Sequence, residues 1–310
     1  MRIHSSLDDS VDQLIHGSIA IGNFDGVHLG HQALFKAERN QPRAALVFEP
    51  HPARVLAPQY APRLICEPWR RRELIASCGV TDLIEHPFTK EFAALEPRRF
   101  VEMLLATGVA EVVVGYDFTY GKARIGTVES LRVALEERGV HLVVVPRVTV
   151  NGLVCSSTKV REFVLEGRVE AASMLLGRPF DLQGEVIHGD GRGRKLGWPT
   201  ANIRSTNDLV PAAGVYAVRA RLMPDGAQLA GAANLGLNPT FRTDAALAGR
   251  PPLSLEVFLF DFDHDIYGRT VRVEFIHRLR EERRFPGIDA LKQQIARDVR
   301  DARRLLGVTP

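Results

Sequence analysis

A glycine-rich loop with two histidines, GNFDGVHLGH at residues 22–31, follows an apolar run at 18–22 that predicts a buried strand. Glycine lets a backbone turn tightly, and a helix predicted from Gly30 would direct unpaired N–H groups at an anion. There His28 and His31 can face one phosphate and stabilise charge that develops on a phosphoryl oxygen. Two exposed polar histidines are the alternative, but their place behind a buried strand favours phosphate chemistry. The candidate phosphate contacts in this loop are Gly22, Phe24, Asp25, Gly26 and Gly30.

A second polar cluster, SSTKVR at residues 156–161, also follows a predicted strand. Hydroxyl groups at a helix start cap the helix and can donate to a phosphate, which makes Ser156, Ser157 and Thr158 candidates. Arg161 lies one turn further on and can add charge-assisted hydrogen bonds to an oxyanion. A plain helix cap with a solvated arginine explains the cluster equally well by itself. Beside the histidine loop, the phosphate interpretation gains weight.

Two further loops mix aromatic rings with rigid proline or glycine turns, FEPHP at 48–52 and GYDFTYG at 115–121. Such loops suit a pocket for a planar ring. Composition alone favours the simpler interpretation, which is a pair of ordinary packed loops.

The second half of the chain contains HGDGRGRKLGWPTAN at residues 188–202. Backbone N–H groups of such a loop can wrap phosphates, although the glycine-lysine-serine/threonine ending of a Walker A loop is absent. Thr200 and Asn202 offer oxygen ligands of the kind that Mg²⁺ prefers. A flexible hairpin is the alternative. The candidate phosphate contacts in this loop are Gly189, Gly191, Arg192, Gly193, Lys195 and Gly197.

One carboxylate, Glu256, stands in the apolar segment LEVFLF at residues 255–260. On a strand it would share a face with Phe258 and Phe260, where a charge needs a reason. A carboxylate there can take the proton of a substrate hydroxyl, the role of the base in other phosphoryl transfers. Ordinary alternation with Glu256 facing water is an equal alternative.

The elements that must position these groups differ between the two halves. In the first half, strand-like and helix-like segments alternate, and the order predicts a parallel sheet covered by helices on both faces. Ligands of such sheets lie at the carboxyl ends of the strands. The predicted strands are 18–22, 43–48, 83–85, 111–115 and 140–145, and the predicted helices begin near 30 and span 69–78, 98–106 and 128–137. Two short helices are predicted over 158–177.

In the second half, strand-like segments separated by turn signals predict a small antiparallel barrel. The predicted strands are 182–188, 215–223, 228–235, 253–260 and 270–276. Apolar residues at helical spacing over 288–306 predict a terminal amphipathic helix with its arginines on a solvated face. The break at 177–179 predicts a boundary between domains 1–180 and 181–310.

Composition narrows the class of protein. The chain has 310 residues, 45% of them apolar and 25% charged, which is ordinary for a globular protein and excludes disordered or fibrous classes. A net charge of +3 without a basic aromatic sheet motif argues against a nucleic-acid partner. Three scattered cysteines, no signal core and no run long enough to cross a membrane predict a cytoplasmic protein without a membrane partner. The sequence leaves open whether the chain forms a homo-oligomer.

The histidine loop by itself resembles the nucleotidyltransferase superfamily. GNFDGVHLGH, SSTKVR, GRGRKLGWPTAN, NLGLNPTF and the Glu256 strand ending in FDHDIYG occur in this order. Together they resemble, over nearly the whole length, the prokaryotic bifunctional riboflavin kinase/FMN adenylyltransferases, or FAD synthetases. The resemblance implies a Rossmann-like nucleotidyltransferase domain of α/β class. A small antiparallel β-barrel riboflavin kinase domain with a C-terminal helix would follow it.

The resemblance also implies chemistry. The barrel would phosphorylate riboflavin to FMN with ATP and Mg²⁺. In that reaction Thr200 and Asn202 would bind Mg-ATP, and Glu256 would act as the base. The first domain would transfer AMP from a second ATP to FMN, giving FAD and pyrophosphate. His28 and His31 would stabilise the transition state, and the 156–161 motif would hold the triphosphate.

Flavin contacts implied by the resemblance are Asp117, Phe118, Asn234 and Arg280, and the stretch with Asn238, Pro239 and Thr240 would lie near the kinase site. ATP would be a co-substrate, with no tightly bound prosthetic group, and the partners would be small molecules. Two other hypotheses stay open: a kinase with a weak or silent adenylyltransferase, and a nucleotide-binding regulator without turnover. The set of His28, His31, Thr200 and Glu256 argues against a regulator, because binding alone needs no base.

Overall fold

The computed structural model describes residues 1–189, 191–224, 226–237 and 253–308, without the side chains of Arg192, Lys195, Leu237 and Leu253. The chain forms two compact units, Met1–Ser157 and Thr158–Pro310. Each unit is built around its own sheet.

The first unit is an α/β layer structure. Its strands are β1 (Arg2–His4), β2 (Ser18–Ile21), β3 (Arg43–Glu49), β4 (Asp82–Pro87), β5 (Glu111–Gly115), β6 (Thr119–Tyr120), β7 (Gly126–Thr127), β8 (His141–Val145), β9 (Thr149–Val150) and β10 (Leu153–Val154). Its helices are α1 (Leu29–Ala37), α2 (Pro52–Leu56), α3 (Pro68–Ser77), α4 (Lys90–Ala93), α5 (Pro97–Leu105) and α6 (Val128–Glu136). Short 3₁₀ turns lie at Asp8–Ser10, Pro58–Tyr60 and Lys122–Arg124.

Six of these strands form one parallel sheet in the order β1-β4-β3-β2-β5-β8. Successive residues of a strand point to opposite faces, so Ile19 and Ala20 of β2 belong to separate cores. Helices α5 and α6 cover one face, and α1 and α3 cover the other. Burial on both faces explains the nearly continuous apolar runs of the strands and confirms the predicted parallel sheet.

Strand β1 is the element of this sheet that the sequence pattern does not predict. It is short and polar, and it pairs with β4 at the edge. The Asp82 carboxylate of β4 fixes it by accepting from His4 at 2.9 Å and forming an ion pair with Arg2 at 2.7 Å. Burial alone would raise the pKa of Asp82, but hydrogen bonds from Arg2, His4 and Thr81 outweigh it and lower the pKa. A contact between distant chain segments thus creates the strand.

The second unit contains a closed antiparallel barrel, in the order β11-β12-β15-β14-β13-β16. Its strands are β11 (Phe180–Ile187), β12 (Ala201–Ser205), β13 (Gly214–Leu222), β14 (Gln228–Leu237), β15 (Leu253–Leu259) and β16 (Thr270–Arg280). Its helices are α7 (Ser157–Leu165), α8 (Val169–Leu176), α9 (Arg192–Leu196) and α10 (Ile288–Leu306), α7 starting at the last residue of the first unit. The predicted barrel and terminal helix are confirmed.

Strand β12 completes the barrel, although the sequence reads there as a turn. Its residues lack a run of β-formers, and pairing with β11 on one side and β15 on the other creates the strand. Asn202 therefore stands on a strand, opposite Ile187 and Glu256.

Helices α7 and α8 confirm the two short helices predicted over 158–177. They pack on the barrel, because Glu170 Oε1 lies 3.0 Å from His277 Nδ1 and Arg278 donates to the Glu166 carbonyl at 3.3 Å. The compact second unit thus begins before the predicted domain boundary at 180, and where the two functional domains divide stays a prediction.

Candidate active sites

The first unit has a cavity of about 890 Å³ at the carboxyl edge of its parallel sheet. Its lining comes from the segments that follow β2, β3, β4, β5 and β8, together with residues 154–157. Strand order reverses direction between β2 and β5, which is where open α/β sheets bind ligands. The fold thus brings the histidine loop and both aromatic loops to one place.

His28 and His31 lie together in this cavity. His28 is the N-cap of α1, and its Nδ1 accepts from the His31 backbone N–H at 3.3 Å. The two rings are stacked, with centroids 3.6 Å apart. Gly30 makes the arrangement fit, because a Cβ there would stand 3.0 Å from the His28 ring and 3.2 Å from the Cys155 carbonyl oxygen. The predicted pair at a helix start is present.

The rest of the histidine loop holds its shape. Phe24, Gly26 and Val27 have positive φ angles of 50°, 80° and 42°, a strained backbone that needs support. Asp25 gives that support, since its buried carboxylate accepts from the Ile65 N–H at 2.9 Å. Gly22 and Gly30 line the cavity, whereas Phe24, Asp25 and Gly26 lie outside the lining. Phosphate contact by these five residues stays a prediction.

The serines of the second cluster reach the same cavity. Ser156 and Ser157 are in the lining, and Ser157 Oγ donates to the Asp25 carbonyl at 3.0 Å. That bond holds Ser157, the last residue of the first unit, against the histidine loop. Thr158 and Arg161 follow on α7 within the second unit, and their predicted role in holding the triphosphate is not tested by this geometry.

Aromatic rings form one wall of the cavity. Phe118 and Tyr120 are stacked at 5.9 Å, and Asp117 is exposed at the rim. The aromatic lining consists of Phe48, Phe88, Phe92, Phe100, Tyr116, Phe118 and Tyr120. The sequence pattern points to the loops at 48–52 and 115–121 but not to Phe88, Phe92 or Phe100. In the sequence, these three phenylalanines look like ordinary apolar core residues, and no local signal marks them as cavity lining.

In the barrel, three polar residues from three neighbouring strands stand in register. Asn202 of β12 is opposite Glu256 of β15, and Glu256 is opposite Asn234 of β14. Residues opposite each other point to the same face, about 5 Å apart. The flanking Leu255 and Val257 are buried, so this row faces outward and Glu256 is half-buried.

The outward face of β15 carries Glu256 together with two aromatic residues. Phe258 and Phe260 share its face, as expected, and pack in a cluster with Ala302 and Leu306 of α10. Glu256 stands beyond that cluster and accepts from Ser254 Oγ at 3.3 Å. The terminal helix thus covers the two aromatic residues of this face, while the carboxylate stays within reach of a ligand.

The glycine-rich loop folds back onto the Thr200–Asn202 stretch. It contains the short helix α9, which begins after Gly191 and ends before Gly197, both with positive φ. A Cβ on Gly189 would overlap the Asn202 side chain, and one on Gly193 would stand 3.0 Å from Thr200 Oγ1. The glycines are needed for this close packing.

The remaining predicted barrel residues have different surroundings. Arg280 ends the same cross-strand row, but its side chain donates to both carboxylate oxygens of Asp298 on α10, the shortest bond being 2.8 Å. Its contact with a flavin stays a prediction, as does that of Asn234. The stretch with Asn238, Pro239 and Thr240 lies outside the described residues.

The chemistry of the barrel donors fits a magnesium ion. Thr200 and Asn202 offer a hydroxyl and an amide oxygen, and Mg²⁺ prefers oxygen ligands. Among the described residues, no group of three His, Cys, Asp or Glu side chains could hold a metal. Magnesium in such sites is held with few protein ligands together with substrate phosphates.

The folds and sites define a two-domain enzyme class, a nucleotidyltransferase-type domain followed by a kinase barrel. The FAD synthetase family model matches residues 12–159, and the riboflavin kinase family model matches residues 176–306. The bifunctional riboflavin kinase/FMN adenylyltransferase of Bacillus subtilis is 37% identical, covering 92% of this chain and 91% of that protein. The Escherichia coli K12 protein of the same name is 37% identical over 94% of this chain and 93% of its own length. This chain belongs to the family of bifunctional riboflavin kinase/FMN adenylyltransferases.

A solved structure supports the fold over the full length. The Streptococcus pneumoniae structure titled a macrolide-efflux protein has a TM-score of 0.84 and 31% identity, and the match covers 96% of both chains. That title describes the pneumococcal protein. In the described parts of this chain, no helix has the length and apolar character of a membrane span.

Proposed function

We propose that the two reactions of this family are divided between the two units, both using ATP. The barrel phosphorylates riboflavin to FMN with Mg²⁺, and the first-unit cavity transfers AMP from ATP to FMN, which gives FAD and pyrophosphate. One observation carries this division: each unit has its own cluster of polar groups, stacked histidines in the first and the cross-strand row of Asn202, Glu256 and Asn234 in the second. The reactants are small molecules, and the expected compartment is the cytoplasm.

In adenylyl transfer, a phosphate oxygen of FMN attacks the α-phosphorus of ATP and the bond to pyrophosphate breaks. Negative charge grows on the oxygens around phosphorus, so pre-placed donors lower the barrier. His28 Nδ1 accepts a backbone N–H, so the proton of the neutral ring is on Nε2, which is then a donor. The N-terminus of α1 adds N–H groups beside it.

The aromatic wall supports flavin as the acceptor in this cavity. An isoalloxazine ring is planar and apolar on its faces, and offset stacking on Phe118 or Tyr120 suits it. Two arginines at the rim, Arg124 and Arg147, add positive charge. Hydroxyl groups hold them, since Arg124 Nε donates to Thr119 at 2.8 Å and Arg147 Nε to Tyr116 at 3.2 Å.

In the kinase reaction, Glu256 accepts the proton of the riboflavin 5′-hydroxyl, whose oxygen attacks the γ-phosphorus of ATP as ADP leaves. Thr200 and Asn202 hold Mg-ATP at one side of Glu256, and magnesium neutralises phosphate charge when bound. Asn234 lies on the other side, where the flavin hydroxyls approach. The hydrogen bond from Ser254 orients the Glu256 carboxylate.

The experiment separates the two sites in the intact protein. With riboflavin, ATP and Mg²⁺, wild type is expected to form FMN and then FAD. Glu256→Gln should abolish FMN formation yet convert added FMN to FAD, and the double substitution His28→Ala, His31→Ala should do the reverse. Loss of one proposed donor or base lowers a rate by roughly 10²–10³-fold. Chromatography of the flavins measures the formation of FMN and of FAD in each protein.

The result also decides between the alternatives. FMN without FAD from wild type would mean a kinase with a silent adenylyltransferase, and unchanged riboflavin would mean a regulator. If either variant stopped both reactions while still folded, the division between units would be wrong.

A further inference from the structure

Glu282, just beyond the end of β16, places a carboxylate on the outer face of the barrel. An ideal Cβ on Gly236 would stand 2.7 Å from Glu282 Oε1. Alternate residues of a strand share a face, so the Gly236 Cβ direction is that of Asn234. The Glu282 carboxylate therefore lies on the face that carries the row of Asn202, Glu256 and Asn234.

The register shows how close Glu282 is to the proposed base. Gly236 stands directly opposite Ser254, whose hydroxyl donates to Glu256 at 3.3 Å. Diagonal neighbours across antiparallel strands are about 7–8 Å apart, so the Glu282 carboxylate lies one row from Glu256. It is on the β14 side, whereas Asn202 is on the β12 side. Glu256 thus separates the nucleotide side from Glu282.

The surroundings leave the charge of Glu282 available to a ligand. Its side chain is exposed and makes no hydrogen bond or ion pair within the described ranges. Two arginines of the same segment are engaged elsewhere, Arg280 with Asp298 and Arg283 with Gln294. A glycine at 236 gives the carboxylate room to lie against the strand.

We propose that Glu282 accepts hydrogen bonds from the ribityl hydroxyls of riboflavin and selects uncharged riboflavin over FMN; this rests on the proposed kinase function. A carboxylate accepts strongly from hydroxyl groups, and riboflavin presents several beside the 5′ oxygen that Glu256 must reach. Once that oxygen carries a phosphate, two negative groups face each other. Glu282 therefore helps bind the substrate and favours release of the product.

The test compares Glu282→Gln with the matched control Glu281→Gln, a neighbouring acid whose carboxylate lies 3.9 Å from Arg278. In Glu282→Gln the KM for riboflavin should rise about five- to tenfold, because charge-assisted hydrogen bonds are lost. The kcat should stay within about twofold and FMN should inhibit the kinase more strongly, as repulsion is removed. Glu281→Gln should match wild type in all three quantities.

A second variant, Gly236→Ala, displaces the carboxylate without removing its charge, and it too should raise the KM for riboflavin. The FMN-to-FAD rate in each preparation serves as the internal control for folding. An unchanged KM and unchanged FMN inhibition in Glu282→Gln would overturn the proposal. A wild-type protein that makes no FMN would refute the kinase function instead.

Discussion

Charged side chains of the first unit lie at both edges of its sheet, but with different consequences. The carboxyl edge has the cavity. At the amino edge, Glu111 accepts from Ser18 Oγ at 2.6 Å, and Glu38 accepts from Arg43 Nε at 3.3 Å. Burial, with a smaller effect of Glu111, raises the pKa of Glu38 to about 8 against the opposing effect of Arg43. Glu38 is therefore a protonated structural acid at neutral pH.

Glu38 makes stability depend on pH. Its pKa of about 8 in the folded protein lies above its ordinary value of 4.5. The stability that the protonated Glu38 contributes to the folded state is therefore fully present below pH 4.5 and is lost as the pH rises through 8. Glu38→Gln mimics the protonated form and should remove this loss. Between pH 6 and pH 8, the free energy of unfolding of wild type should fall relative to the variant by on the order of 2 kcal/mol.

Urea unfolding at the two pH values measures this difference. Parallel pH dependence of the two proteins would show that Glu38 does not hold its proton in the folded state.

At the scale of elements, α10 is the part of the second unit that covers the outer face of the barrel beside the row of Asn202, Glu256 and Asn234. Its buried end packs Ala302 and Leu306 against Ala217 and Phe260. Asp298, also buried, holds Arg280 of β16 through paired hydrogen bonds. The helix therefore supports the strands that position Glu256 and Asn234.

The packing of α10 on the barrel can be tested at two adjacent leucines, one buried and one exposed. Leu306 is 8% exposed and Leu305 is 42% exposed. Leu306→Ala removes buried contacts and should lower the free energy of unfolding of the second unit by about 2–3 kcal/mol, whereas Leu305→Ala should stay within about 0.5 kcal/mol of wild type.

Thermal inactivation of kinase activity is the measurement, with adenylyl transfer followed in the same samples. Equal effects of the two substitutions would mean that the buried end of α10 contributes nothing to the barrel.

At the scale of the whole molecule, the two sites are chemically separate. The cavity lining comes entirely from the first unit, and the Asn202–Glu256–Asn234 row comes entirely from the barrel. Under the proposed division, a substitution in one of these two clusters therefore leaves the residues of the other cluster unchanged.

Mixing two disabled proteins tests this separation. Glu256→Gln protein and the His28→Ala, His31→Ala protein, incubated together with riboflavin, ATP and Mg²⁺, should form FAD after a lag in which FMN accumulates. Neither alone should form FAD from riboflavin. Absence of FAD in the mixture, with each partial activity intact, would show that FMN does not pass between separate molecules.

Local signals explain what sequence analysis could predict. The predicted helix over 288–306 matches α10, and the predicted strand at 111–115 matches β5, because periodic apolar patterns report burial directly. Strands β1 and β12 could not be predicted this way. Each depends on pairing with distant segments, β1 through Asp82 and β12 through β11 and β15.

The sequence by itself determined the order of the elements with periodic apolar patterns, the two histidines at a helix start and the family, since these depend on neighbouring residues and ordered motifs. Only the tertiary structure decided that Phe88, Phe92 and Phe100 wall a cavity, that Asn234 stands opposite Glu256, and that the Glu282 carboxylate lies against Gly236. Those neighbours are set by strand register and chain reversal. Residues far apart in the chain meet there without leaving any local pattern.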